Sequence, residues 1–143
     1  MFNYMKHKKV LAIFAHPDDV EQFCGGTLIL LRQAGYQILI TALTSGECGT
    51  TTLNSLEIAK IRDKEAKRGT KIIGADYQCL KVTDGIVGYY PGRLAHSLTG
   101  QPYLYHSDPQ GLISEDGQIV RVNTIVDISS VIEKKIIAFS SMI

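Results

Sequence analysis

A chain of 143 residues that is 45% hydrophobic and 20% charged has the make-up of one globular domain, with little room for a second. A net charge of +1 gives no electrostatic ground for a nucleic-acid partner or an anionic membrane surface. Cys24, Cys48 and Cys79 are odd in number and widely spaced, which suggests neither a disulfide framework nor a tetrathiolate zinc site. The apolar run near the start lasts only six residues and ends in charges, so neither a signal peptide nor a membrane span is expected and a cytoplasmic setting is.

Val10 to Ala15 is continuously apolar, as a strand buried on both faces should be. Gly25-Gly26 follows, and Thr27 to Ala34 reads as a helix that Gly35 stops. Ile38 to Leu43 is a second buried strand, ending in Thr44-Ser45-Gly46-Glu47. Strand, helix and strand in so short a span form a βαβ unit and predict a parallel sheet. The spacing next predicts a helix from Leu56 to Gly69, with Arg62 and Glu65 three apart on one face. A short strand from Tyr77 to Val82 leads to Thr83-Asp84-Gly85.

From Gly88 to Gly117 the periodicity disappears, so residues 86–117 read as a compressed loop region, long for a small domain. Ile119 to Val122 reads as another strand and Val126 to Ile128 as a short extended piece. Ser130-Val-Ile-Glu133 has the pattern of a capping box opening a last helix through Phe139. The expected architecture is α/β: a Rossmann-like open parallel sheet flanked by helices, in a single domain over 1–143.

The chemistry gathers at Ala15-His16-Pro17-Asp18-Asp19-Val20-Glu21, directly after the first strand. Open parallel sheets bind ligands beyond the carboxyl ends of their strands. An imidazole and a carboxylate are suitable zinc ligands, provided a third ligand and an open position exist. A second carboxylate nearby can take the proton of an attacking water. Glu21 and Glu47 would add negative charge around the same mouth. The plainer reading makes Asp18 or Asp19 the cap of the following helix. Arg62 either reaches a substrate oxyanion or pairs with Glu65, and Cys48 is either near the cleft or a packing residue. A dinucleotide site is disfavoured, because the acidic loop would repel a pyrophosphate.

VLAIFAHPDDVEQFCGGTLILLRQAG, ITALTSGECG, Ile61 to Ala66, Leu80, Asp84-Gly85 and the segments Val126 to Ser129 and Val131 to Lys135 together resemble the PIG-L/LmbE family of zinc-dependent N-acetylglucosaminyl deacetylases. The resemblance implies that His16 and Asp19 bind Zn2+ and that Asp18 is the general base. It implies hydrolysis of the N-acetyl group of an amino sugar or similar small amide, with Arg62 beside the metal loop. Arg93 to Gly100, RLAHSLTG, is the nearest stretch to the family's second motif. There His96 aligns with the third metal ligand, while Arg93 stands where the family has a histidine and Ala95 where it has an aspartate. Arg93 can stabilise an oxyanion electrostatically but cannot act as an acid at neutral pH. His106 is the fallback ligand if the RLAHSLTG match is accidental. The short separation of Asp84 from His96 makes the chain read as truncated relative to the family. A second hypothesis follows: a shortened, inactive relative that binds a small molecule, a metal or a partner protein, with a homo-oligomer completing the sheet.

Overall fold

Three short segments, the first two rich in apolar residues, build the sheet, and the helices between them cover one of its faces. The computed structural model describes residues 8–84, 110–114 and 116–142. In chain order the elements are β1 (Lys9–Phe14), α1 (Asp19–Phe23), α2 (Gly25–Gln33), β2 (Gln37–Thr44), α3 (Ser55–Ile73), β3 (Asp76–Val82) and α4 (Ile132–Phe139). The sheet order is β1-β2-β3 and all pairing is parallel, with Lys9 opposite Gln37, Phe14 opposite Ala42 and Leu39 opposite Asp76. The α/β class and parallel sheet expected from the βαβ pattern are therefore present.

The core takes Val10, Ala12 and Phe14 from β1, Ile38 and Ile40 from β2 and Tyr77 from β3. They are alternate residues and so share one face. Leu28 and Ile29 of α2, Ile73 of α3 and Ala138 of α4 meet them there. On the opposite face the edge strands are more open, with Leu11 44% and Leu80 50% exposed, while Thr41 and Leu43 of the central β2 are buried. The first strand is thus buried on one face rather than both. Its apolar run looked two-sided, but the described helices pack against one side alone.

Helix α3 starts in a reciprocal capping box between Asn54 and Glu57 and runs to Ile73, four residues beyond the expected end. The box expected at Ser130 and Glu133 does not form. Asp127 Oδ1 accepts hydrogen bonds from the amide and hydroxyl of Ser129 at 2.9 and 2.6 Å. That turn opens a 3-10 segment, Ser129–Val131, which draws Ser130 into its interior and leaves Val131 as the uncapped start of α4. The strand expected over Ile119 to Val122 is a single antiparallel bridge between Ile113 and Ile119.

Between β2 and β3 the register slips: Ala42 faces Cys79, yet Thr44 faces Val82. Lys81 takes up the extra residue at φ 56°, in the left-handed region. This bulge changes how the end of β3 is presented to the loops beyond the sheet.

Gly26, in the first turn of α2, lets that helix lie directly on Ile128. A Cβ there would come within 2.7–2.9 Å of three Ile128 side-chain carbons. G26A is therefore expected to lower stability by ~1–2 kcal/mol, despite the roughly 1 kcal/mol that alanine gains over glycine in a helix. In an Ile128→Gly background, which removes all three of those carbons, the same substitution should become neutral or stabilising. Denaturant midpoints of the four proteins read the sign reversal directly.

Candidate metal centre

The carboxyl ends of β1, β2 and β3 each lead into a loop, and backbone hydrogen bonds bring the loops together. The Ala15 carbonyl accepts from the Thr44 amide at 2.9 Å and the Thr44 hydroxyl at 3.0 Å. Thr44 Oγ1 also receives the Gly46 amide at 3.3 Å. Gly46 has φ +66°, and a Cβ there would lie 3.3 Å from Pro17 Cδ. Glycine thus meets both the backbone angle and the close seating of the buried Pro17.

His16 is held between two carboxylates. Its backbone amide donates to Asp19 Oδ2 at 2.9 Å, and its Nδ1 lies 3.4 Å from the same oxygen. On the other side of the ring, Nε2 is 3.1 Å from Asp84 Oδ1. The Asp84 side chain is 9% exposed against 46% for His16, so the histidine rests on a largely buried acid. Asp84 is itself fixed: its amide donates to Glu47 Oε1 at 2.8 Å and its Oδ2 receives the Cys48 amide at 3.4 Å. Glu47 Oε2 takes the Ser45 hydroxyl at 2.6 Å. These donors, Ser45 first, hold the Glu47 carboxyl below its ordinary titration range.

Neither aspartate of the first loop caps α1 with its side chain. Asp18 occupies the N-cap position without a side-chain capping bond, and Asp19 is turned back to the His16 amide. The plainer capping reading therefore does not describe the loop.

Glu21 does not add charge to the mouth. It is 1% exposed, and burial, opposed in part by a backbone hydrogen bond, raises its carboxyl to about 8. Its Oε1 sits where a Cβ on Gly69 would be 2.5 Å away, so the Glu21 side chain seats directly on the backbone of α3. Arg62 of α3 is turned to its own helix and the C-terminal turn: Nη1 donates to Glu65 Oε2 at 2.9 Å and to the Met142 carbonyl at 3.3 Å. Its side chain also runs under the second loop, since a Cβ on Gly46 would lie 3.5 Å from Arg62 Cγ. Cys48 is exposed and reaches the site through its backbone alone. Burial drives the Cys24 thiol up to about 12, leaving it a packing group.

Arg93, His96 and His106 lie outside the described residues. Among the described residues no group of three or more His, Cys, Asp and Glu side chains is arranged to hold a metal. The three that come nearest, His16, Asp19 and Asp84, cannot converge, because the two acids address opposite ring nitrogens. Glu47 was expected at the mouth and Asp84 stood only within the Asp84-Gly85 match; what the sequence did not show is that the two are joined, through the Asp84 amide, and that Asp84 meets His16.

Residues 11–134 match the profile of the PIG-L family, described as GlcNAc-PI de-N-acetylase. Over 69 residues the chain is 39% identical to the Escherichia coli (strain K12) protein named uncharacterized deacetylase YaiS, covering 48% of this chain and 34% of that one. The solved structure of the N,N'-diacetylchitobiose deacetylase from Pyrococcus horikoshii is similar at 34% identity and TM-score 0.53, over 57% of this chain and 32% of that one. GalB, the 4-carboxy-2-hydroxymuconate hydratase from Pseudomonas putida KT2440, is similar in fold at TM-score 0.69 and 21% identity, over 94% of this chain and 78% of that one. The matches to curated relatives span 26% to 34% of those proteins' own length. Among the described residues no helix is long and apolar enough to cross a membrane.

Glu21 gives the metal-free protein a characteristic pH response. Its folded carboxyl titrates near 8 and its unfolded one near 4.5, so between those values the native state holds the extra proton. Stability then falls as pH rises across that window. In the presence of a chelator, wild type is expected to lose a few kcal/mol more than E21Q between pH 5 and 8. Urea titrations at several pH values measure the divergence, and parallel curves would show that Glu21 is not the group responsible.

Proposed function

The chain belongs to the PIG-L family, and from that premise we propose that it is a zinc-dependent hydrolase acting on an N-acetylglucosamine-type amino sugar or similar small amide. One observation carries the metal part of this reading. His16 Nδ1 and Asp19 Oδ2 stand 3.4 Å apart at the end of a buried strand. Two ligands at ~2.1 Å from a tetrahedral zinc ion are ~3.4 Å from each other. The pair therefore fits two corners of such a site, and His96 is proposed as the third ligand, with His106 as the alternative. Zinc there supplies a Lewis acid that polarises the acetyl carbonyl and makes water nucleophilic near neutral pH.

Asp18, the neighbour of Asp19 on a loop that Pro17 and Gly46 brace, is the general base in this reading. It takes a proton as the water oxygen bonds to the acetyl carbon. The C–N bond then breaks, acetate leaves, and the amine departs with the proton returned to it. Arg62, engaged by Glu65 and the Met142 carbonyl, orders the floor of the cleft. Arg93 supplies positive charge for the developing oxyanion. Residues 1–143 act as one domain, in a cytoplasmic setting, and an acetamido sugar fits the activity named for the diacetylchitobiose deacetylase to which the chain is similar.

A second reading has its own support. Ile125 is 88% exposed and Ile136 and Ile137 of α4 are 56% and 59% exposed, an apolar surface of the kind that partners cover. A non-catalytic relative that binds a partner protein or a second copy of itself would use it.

The two readings diverge in one experiment. D18N is expected to keep the wild-type zinc content while deacetylation of N,N'-diacetylchitobiose falls about 10²–10⁴-fold. H16A and D19A should lose the metal as well as the activity. Elemental analysis with an assay for released amine reads both quantities. A wild-type protein that stays metal-free with zinc in excess would overturn the hydrolase reading.

A further inference from the structure

The least expected feature of the cleft is that a largely buried acid from the third strand's loop addresses the ring of a histidine from the first. We infer that Asp84 is a positioning residue that holds Nε2–H of His16 and so commits Nδ1 to the metal. This inference rests on the metal reading above.

Three observations carry it. The first is the asymmetry of the ring contacts. Asp84 Oδ1 lies 3.1 Å from Nε2, within hydrogen-bonding range, whereas Asp19 Oδ2 is 3.4 Å from Nδ1, longer than a good N–H···O bond. Neutral imidazole has one N–H donor, and a carboxylate can only accept. The shorter contact therefore claims the proton for Nε2 and leaves the Nδ1 lone pair on the Asp19 side. Both proposed first-motif ligands then face the same point.

The second observation is that Asp84 is braced as a support has to be. Its amide is held by Glu47, its Oδ2 takes the Cys48 amide, and Glu47 is fixed in turn by the Ser45 hydroxyl. The order Ser45, Glu47, Asp84, His16 links the loops of all three strands. Histidine ligands of metals are commonly oriented by a carboxylate on their other nitrogen, which fixes the tautomer and raises ligand basicity.

The third observation is how Asp84 arrives there. The register slip between Ala42 and Thr44, absorbed at Lys81 with φ 56°, adds a residue to β3 just before the cleft. Bulges beside functional sites re-aim the residues that follow them. Here the strained residue lies three positions before the carboxylate that meets His16.

The test is spectroscopic, so it does not depend on turnover. In metal-free protein labelled with 15N-histidine, long-range 1H–15N spectra well above the ordinary histidine titration range should show His16 as the Nε2–H tautomer. After loading with 113Cd2+, coupling to the metal should appear on Nδ1 of His16. D84A should shift the tautomer balance towards Nδ1–H and weaken Cd2+ binding about 10–100-fold. D84N keeps an acceptor oxygen without the charge and should lie between, and E47Q should act in the same direction with a smaller effect.

Coupling of 113Cd to Nε2 would overturn the inference and leave the metal reading standing. So would a D84A protein with unchanged tautomer and affinity. Wild type that binds no cadmium at His16 would instead overturn the metal reading, and the inference with it. Should D84A fail to fold, the wild-type tautomer and the nitrogen that couples still decide between the outcomes.

Discussion

Everything at the mouth of the sheet depends on the tie between Thr44 and the Ala15 carbonyl. Parallel strands fix the directions of their ends but not the height at which the following loops leave. The Thr44 amide and hydroxyl, both on one carbonyl, set that height for β1 and β2 together. Pro17 then rests on Gly46, and His16 is left at the rim beside Asp19. A serine at position 44 would keep the hydroxyl but lose the methyl of a buried, β-branched residue suited to a strand. Valine would match the shape yet leave the Gly46 amide without its acceptor.

Below this rim lies a second polar layer with a different purpose. Glu65 is 2% exposed and paired with Arg62, while Glu21, 1% exposed, is held in its neutral form by burial. An unpaired charge at such a depth would cost several kcal/mol. One acid therefore has a guanidinium and the other keeps its proton. Arg62 also takes the Met142 carbonyl, and Arg68 takes that of Ser141 at 3.0 Å. Helix α3 thereby holds the segment after α4 against the domain. The Glu21 carboxyl, expected as a charge in the mouth, is instead a buried neutral group packed between α1, α3 and the C-terminal turn.

The parts of this architecture that repeat were legible in the sequence, and the parts that depend on one contact were not. Val10 to Ala15 declared a strand through an unbroken apolar run and Ile38 to Leu43 through one interrupted only by Thr41, and the helix between them followed from its stop at Gly35. Burial of the first strand was overread, because a run of apolar residues does not say whether anything covers its second face, whereas β2 is buried as expected. Ser130 and Glu133 matched a capping pattern, yet Asp127 captured Ser129 first, a competition between local hydrogen bonds that spacing cannot rank. In the site, His16, Asp18 and Asp19 stood out because three ionisable groups crowd the end of a buried strand. Asp84 did not, since its meeting with His16 joins residues 68 positions apart and depends on a bulge that leaves no mark in the composition.

The charge balance of the cleft supplies the last step. Asp18, Asp19, Glu47 and Asp84 bring four carboxyl groups to the loops at one end of the sheet. Among the described residues, Arg62 is turned inward to Glu65. Serine and backbone donors share Glu47, and backbone amides reach Asp19 and Asp84. Neutral donors such as these stabilise the carboxylates they touch but do little to offset repulsion between them. Protonating His16 would add one positive charge, but it would also place a donor on each ring nitrogen and leave no lone pair for a metal. In the proposed reading, a divalent cation between Nδ1 and Asp19 would supply more charge, keep the imidazole neutral and allow Asp84 to retain Nε2–H. Asp84 would then separate the two ends of the ring into a metal-facing and a protein-facing nitrogen.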